Sequence, residues 1–330
     1  MEHRTLGRTG ASVSVVGLGT WQLGSDWGDV NEGEALDLLG EAQANGVDFL
    51  DTADVYGDGR SEALIGRYLA TADVRPFVAT KMGRRVDQVP ENYTEENFRA
   101  WNDRSRANLG VDTLDLVQLH CPPTPVFGDE RVYDALDRLV EDGRIAHYGV
   151  SVETCAEALT AMERPNVASV QIILNVFRRK PLDEVLPTAL EKGVGIIARV
   201  PLASGLLSGR YTAETTFAPT DHRTYNRHGE AFDVGETFAG VDYDDGVRAA
   251  AEFTALAREL GPEGATPAQV ALRWIIDRPG VTTVIPGARN GTQARGNAAA
   301  AALPPLGEEL DAALEDLYDR WFRAAVHHRW

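Results

Sequence analysis

Eight short β-rich runs alternate with helix-forming segments along this chain, and that alternation limits the possible folds more than any other feature. The runs are VVGLG (15–19), VDFLD (47–51), FVATK (77–81), LDLVQLH (114–120), IAHYGVS (145–151), ASVQIIL (168–174), VGIIARV (194–200) and VTTVIPG (281–287). Helices are expected between them. One spans Asn31 to Ala44, with Asn31 as N-cap, Glu34 three residues on and Gly46 as its stop. Others are expected in SEALIGRYLA, from Thr94 to Leu109 behind a Thr94 cap, and in VYDALDRLVEDG ending at Gly143. Three more fall in ETCAEALTAM, DEVLPTALEKG and TQARGNAAAAA. A hairpin precedes the series: RTL, the turn GRTG, then VSV. Strand–helix units in this order, with no hairpin among them, predict an α/β fold, a (β/α)8 TIM barrel forming one domain over residues 1–330. A doubly wound open sheet is the other arrangement, but no G-x-G-x-x-G follows the first run.

Three segments are longer than ordinary connections: 121–129, 208–245, and the tail after Leu303 with a helix from Glu308 to Ala325. The first two fall on the C-terminal face, where barrel chemistry occurs. Alternatively, 208–245 is a surface insertion without a role.

Composition removes several classes of function. Net charge is −18, which argues against a general nucleic-acid binder. No apolar run reaches the roughly 18 residues of a membrane span. No apolar stretch follows the charges of MEHRTLGRTG, so no signal peptide is expected. Cys121 and Cys155 make no disulfide framework, which fits a reducing, cytoplasmic setting. The chain has three lysines against 29 arginines. A GC-rich genome explains that bias, and salt adaptation is the other source of so acidic a surface.

Four ionisable residues stand at or just past the ends of successive runs: Asp51, Tyr56, Lys81 and His120. Lysine, unlike arginine, shifts its pKa when desolvated or paired. A buried Lys81–Asp51 pair beside a phenol is expected to lower the pKa of Tyr56, making it a general acid. His120 is placed to donate a hydrogen bond to a substrate oxygen, so the group could polarise a carbonyl and protonate the developing alkoxide. Metal catalysis is the rival, but there is no His-x-His pair. His3, His222, His228, His327 and His328 lie in the termini or the long loop, so no metal is expected. A Schiff base on Lys81 would not need Tyr56 and His120 there.

The chain resembles the aldo-keto reductase superfamily over nearly its whole length. RTLGRTGASVSVVGLGTW is similar to that family's opening hairpin and first strand. FLDTADVYG, ATK and LDLVQLH are similar to the segments carrying its catalytic tetrad, and IPGARNGTQARGN to its adenosine-phosphate segment. The resemblance implies NAD(P)H-dependent reduction of an aldehyde or ketone. Tyr56 is then the proton donor, Asp51 and Lys81 tune it, and His120 orients the carbonyl. It further implies cofactor contacts at Thr20, Trp21, Asp51, Ser151, Gln171 and Arg199. Pro201, Leu202, Ser204, Gly205, Leu206 and Arg210 would border the pyrophosphate. Gly287, Ala288, Arg289, Gln293 and Asn297 would hold the adenosine end.

Two positions depart from the family pattern. Val152 stands where many members have asparagine, which leaves Ser151 and Gln171, with Asn175, to hold the carboxamide. Arg199 stands where many have an aromatic ring on the nicotinamide. Either its charge favours the reduced cofactor, or it turns away to an acidic loop residue. Arg289 and Arg295 are the cations for a 2′-phosphate, so NADP(H) is expected over NAD(H). Trp21, Trp27, Met82, Tyr93 and Phe127 are candidate walls for a small carbonyl substrate. A cofactor-sensing regulatory subunit and a sugar-nucleotide ketoreductase are the alternative functions.

Overall fold

The computed structural model describes residues 1–24, 31–232 and 235–330, and Trp27 lies outside them. Strands β1 (His3–Thr5) and β2 (Ser12–Ser14) form the antiparallel hairpin, with His3 opposite Ser14. Strands β3 (Leu18–Gly19), β4 (Phe49–Asp51), β5 (Phe77–Met82), β6 (Leu114–His120), β7 (Ile145–Ser151), β8 (Val167–Ile173), β9 (Gly195–Arg199) and β10 (Val281–Val284) form one parallel sheet in sequence order. Its two edges meet: Val16 pairs with Val284 and Gly19 with Gly287, and Gly17 N–H donates to Val284 O at 2.8 Å. The sheet therefore closes into the expected barrel. VVGLG shortens to a two-residue strand because the backbone of residues 15–17 makes the closing contacts with residue 284.

Helices α1 (Glu32–Ala44), α2 (Arg60–Leu69), α3 (Glu95–Leu109), α4 (Glu130–Glu141), α5 (Cys155–Met162) and α6 (Val185–Lys192) return the chain between strands. Local chemistry sets their ends. Asn31 and Thr154 each form a capping box with the Glu three residues on, and Thr94 caps α3. The segment after β9 holds the short α7 (His222–Tyr225), then α8 (Tyr243–Glu259) and α9 (Pro267–Ile276). Helix α10 (Gly291–Ala298) follows β10. The C-terminal helix α11 (Glu308–Tyr318) ends earlier than expected: Asp319–Arg323 form a wider turn before Ala324–Val326. Among the described residues no helix is long and apolar enough to cross a membrane.

The core has two layers because strand side chains alternate in direction. The larger one lies between sheet and helices. The smaller one gathers Phe49, Ala79, Leu116, Ile197 and Ile285 inside the barrel, with Leu6 and Val13 of the hairpin segment. The hairpin thus plugs the N-terminal end. Gly7 permits it at φ +47°, for a Cβ there would stand 2.1 Å from Gly195 N and 2.3 Å from Ala168 O. Two residues beyond the inward-facing Phe49, Ala79, Leu116 and Ile197 stand Asp51, Lys81, Gln118 and Arg199. The same inward parity that fills the barrel therefore aims polar groups at its C-terminal mouth.

Candidate active site

The barrel mouth brings Asp51, Tyr56, Lys81 and His120 together. Lys81 and Asp51 are almost wholly buried and form an ion pair, and Lys81 Nζ also donates to Thr52 O at 3.0 Å. The other Asp51 oxygen accepts from Gln171 Nε2 at 2.8 Å and Gln118 Nε2 at 3.3 Å. A buried carboxylate needs such donors to stay ionised. Lys81 Nζ lies 5.2 Å from the Tyr56 ring centre, and the Tyr56 and His120 rings meet edge-on with centroids 6.0 Å apart.

Burial opposes the Lys81 charge, but Asp51 and Tyr56 outweigh it and hold the ammonium above its ordinary value. For Tyr56 the expected direction is reversed. Burial raises the phenol above its ordinary value, and the Lys81 charge offsets only part of that. The reason is that Lys81 is already neutralised by Asp51, whose own charge raises the phenol further. His120 is pushed well below its usual value, first by burial and then by Arg84, Lys81 and Arg199. It is thus a neutral imidazole at physiological pH, and its Nδ1 has no hydrogen-bond partner among the described residues.

The positions implied for a dinucleotide lie around this group. Trp21 stacks on Tyr56 with centroids 6.1 Å apart and meets the His222 ring at a tilt of 48°, 4.8 Å away. The Thr20 hydroxyl donates to Asp51 O at 2.8 Å and accepts from Ser61. Ser151 is buried at the end of β7, 3.4 Å from the Cys121 thiol. Gln171 turns its amide nitrogen to Asp51 and Gln118. Asn175 is committed to backbone on both sides, donating to Val200 O and accepting from Phe177 N–H, so it is not the substitute for an asparagine at 152. Beyond β9, Ala203, Ser204 and Gly205 all have positive φ. Within this left-handed turn the N–H groups of Ala203 and Gly205 donate to Val200 O and Leu202 O at 3.1 and 2.8 Å. Pro201 and Leu206 are buried beside it, Leu202 is half-buried and Arg210 exposed. After the neighbouring strand β10, Asn297 donates to Gly287 O, next to Ala288, and Gln293 accepts from Arg289 N–H.

Arg199 takes the second of its two expected arrangements. It pairs with Glu236 of the long loop and donates to Val152 O at 3.2 Å. Its charge is matched there, which removes the basis for a bias toward reduced cofactor. Arg289 stands 4.0 Å from Asp221, and Arg295 2.6 Å from Glu41. Met82 and Phe127 belong to the core rather than to a pocket wall: Asn102 of α3 faces the Met82 sulfur, and Phe127 is wholly buried. Tyr93 packs on Phe98 and Trp101.

Four residues at the site escape the sequence reading. Gln118 shares the inward parity of His120, a signal available in LDLVQLH. Arg84 donates from Nε to His120 O at 3.0 Å. Asp54 and Glu62 are both fully buried beneath the Tyr56 loop, and nothing in the sequence says that DTADVYG turns an acid inward.

Residues 15–319 match the Aldo/keto reductase family. An uncharacterized oxidoreductase of Mycobacterium tuberculosis is 33% identical over 312 residues, covering 91% of this chain and 88% of its own. A probable voltage-gated potassium channel subunit beta of Arabidopsis thaliana is 28% identical, covering 93% of each chain. The structure of a glycerol dehydrogenase from Gluconobacter oxydans superposes with a TM-score of 0.78 at 30% identity, covering 94% of this chain and 93% of that one. Barrel, inward-facing site and whole-length similarity lead to one conclusion: this chain belongs to the aldo/keto reductase family.

Proposed function

We propose that this protein reduces an aldehyde or ketone to the alcohol, using a reduced nicotinamide dinucleotide and Tyr56 as proton donor. The observation that carries the reading is the convergence of the Asp51–Lys81 pair, Tyr56 and neutral His120 at the barrel mouth. The dinucleotide supplies a hydride to the carbonyl carbon. Ser151 and Gln171 would hold its carboxamide, residues 201–206 with Arg210 its pyrophosphate, and Gly287–Arg289 with Gln293 and Asn297 its adenosine end. Because burial raises its pKa, Tyr56 keeps its proton at neutral pH until the substrate oxygen becomes basic. Lys81 then stabilises the phenolate left behind, and Asp51 with its glutamine donors fixes Lys81. His120 donates to the carbonyl oxygen, a task suited to a neutral imidazole.

NADP(H) is the favoured cofactor in this reading: Arg289 and Arg295 would exchange their contacts with Asp221 and Glu41 for a 2′-phosphate at the adenosine end. Equal catalytic efficiency with NADH would reject that preference. The main test is an NADPH-oxidation screen over aldehydes, ketones and sugars, with Tyr56→Phe alongside. The variant is expected to lose about 10²- to 10⁴-fold in kcat, the usual contribution of a positioned acid. Unchanged turnover would remove Tyr56 from the mechanism.

The similarity to a channel beta subunit favours a second reading, a cofactor-sensing subunit. Tight NADPH binding with very slow turnover of every carbonyl would select it.

A further inference from the structure

Three cations bear on His120: Arg84, Lys81 and Arg199. Two of them have a close carboxylate, Lys81 with Asp51 and Arg199 with Glu236. Arg84 differs. Gly83, at φ +119°, turns the chain sharply after β5, and Arg84 lies across the end of β6 with its Nε on His120 O. That contact fixes the guanidinium plane. Its Nη2 stands 3.6 Å from Glu153 Oε1, beyond a good charge-assisted bond. Its side chain is 21% exposed and that of Glu153 36%, so the pair is open to solvent beside His120. The Arg84 charge is also felt at the Tyr56 and Tyr93 phenols, which keeps it near the proton donor.

We infer that Arg84 is a specificity residue that selects carbonyl substrates carrying a carboxylate a few bonds from the reacting carbon. The inference rests on the carbonyl-reducing reading above. An oriented guanidinium with a weak, displaceable partner is well suited to bidentate recognition of a carboxylate. Glu153 opposes the ligand by like charge, and so sets the strength of the preference.

The test compares kcat/KM for 4-oxobutanoate against pentanal, and for 2-oxobutanoate against 2-butanone. In parallel, calorimetry measures succinate binding to the purified protein. The wild type is expected to prefer the charged member of at least one pair by about 10- to 100-fold, the usual range for a charge-assisted bond. Arg84→Leu should bring that ratio near one, mainly through KM, and weaken succinate binding at least about tenfold. Arg84→Lys should recover part of both. Glu153→Gln should raise the ratio by removing the repulsion. A wild-type ratio near one in both pairs, or a ratio indifferent to Arg84→Leu, overturns the inference and leaves carbonyl reduction standing. A fall in the ratio with Glu153→Gln also overturns it, pointing instead to a hydroxylated substrate held by donor and acceptor together. If no carbonyl turns over but succinate binding depends on Arg84, the proposed function fails and the anion site stands.

Discussion

Asp54 and Glu62 place two carboxyl groups inside the protein, within one turn and one helix of Tyr56. Glu62 accepts from Thr80 Oγ1 at 2.6 Å and Asn108 Nδ2 at 3.0 Å. Among the described residues no side chain donates to either Asp54 oxygen, and the Val55 N–H pulls on the carboxyl only weakly. Burial and the facing Glu62 push Asp54 up to about 7, against the pull of Arg85 and Arg104. The folded state therefore holds this proton until about pH 7, whereas the unfolded chain releases it near 4. Stability from this group is present below the unfolded value and is lost as pH rises through that window. Asp54→Asn is expected to raise the melting temperature at pH 8, where the wild type buries a charge. The gain should amount to at most about 4 kcal/mol and shrink toward pH 4. Thermal melts of both proteins at pH 5, 7 and 8 check this, and an equal difference at every pH would show that Asp54 does not titrate in the window. Lys81 was legible from sequence because lysine is so scarce here. Asp54 was not, since its burial depends on how residues 52–56 fold under α2.

The segment between β9 and α8 was read as a long loop of open role, and its contacts make it a strap tied to the end of β9 and to Trp21. Glu236 reaches Arg199, and the Ser204 hydroxyl links Glu236 O with Phe238 N–H at 3.0 and 3.1 Å. Further along, His222 and Phe232 flank Trp21, and Asp221 approaches Arg289. These ties join residues from about 30 to about 200 positions apart in sequence, which no local pattern encodes. Breaking a buried ion pair costs roughly 3–5 kcal/mol, because the remaining charge loses its compensation. Glu236→Gln is therefore expected to loosen the strap without unfolding the barrel. Limited trypsin digestion should cut within 208–245 at least several-fold faster, with circular dichroism unchanged. Cleavage at the wild-type rate would show that the strap does not depend on this pair.

At the scale of the whole molecule, a net charge of −18 repels itself across a closed barrel. Most of the surface arginines already sit in exposed ion pairs, such as Arg67–Glu32 and Arg320–Glu252, and each is worth little in water. Screening the surplus acid should outweigh weakening those pairs, since the Debye length falls from about 10 Å at 0.1 M salt to about 3 Å at 1 M. The melting temperature is expected to rise by several degrees between 0.05 and 1 M NaCl. Differential scanning fluorimetry measures it, and a flat or falling curve would mean that the ion pairs dominate.

Sequence alone determined the order of eight strands, the caps at Asn31 and Thr94, and the place of Asp51, Lys81 and His120 at strand ends. Each follows from signals local to a few residues: a period of two, a side chain that satisfies a helix end, or a polar residue closing an apolar run. Tertiary structure decided the rest. It closed the sheet between residues 15–19 and 284–287, matched Arg199 with Glu236, and set Arg84 beside His120 with Glu153 3.6 Å away. It also reversed the expected direction for Tyr56, because desolvation by the surrounding barrel outweighs a lysine whose charge Asp51 has already met. Pair formation and desolvation depend on groups far apart in the chain, so they are fixed only when the barrel closes.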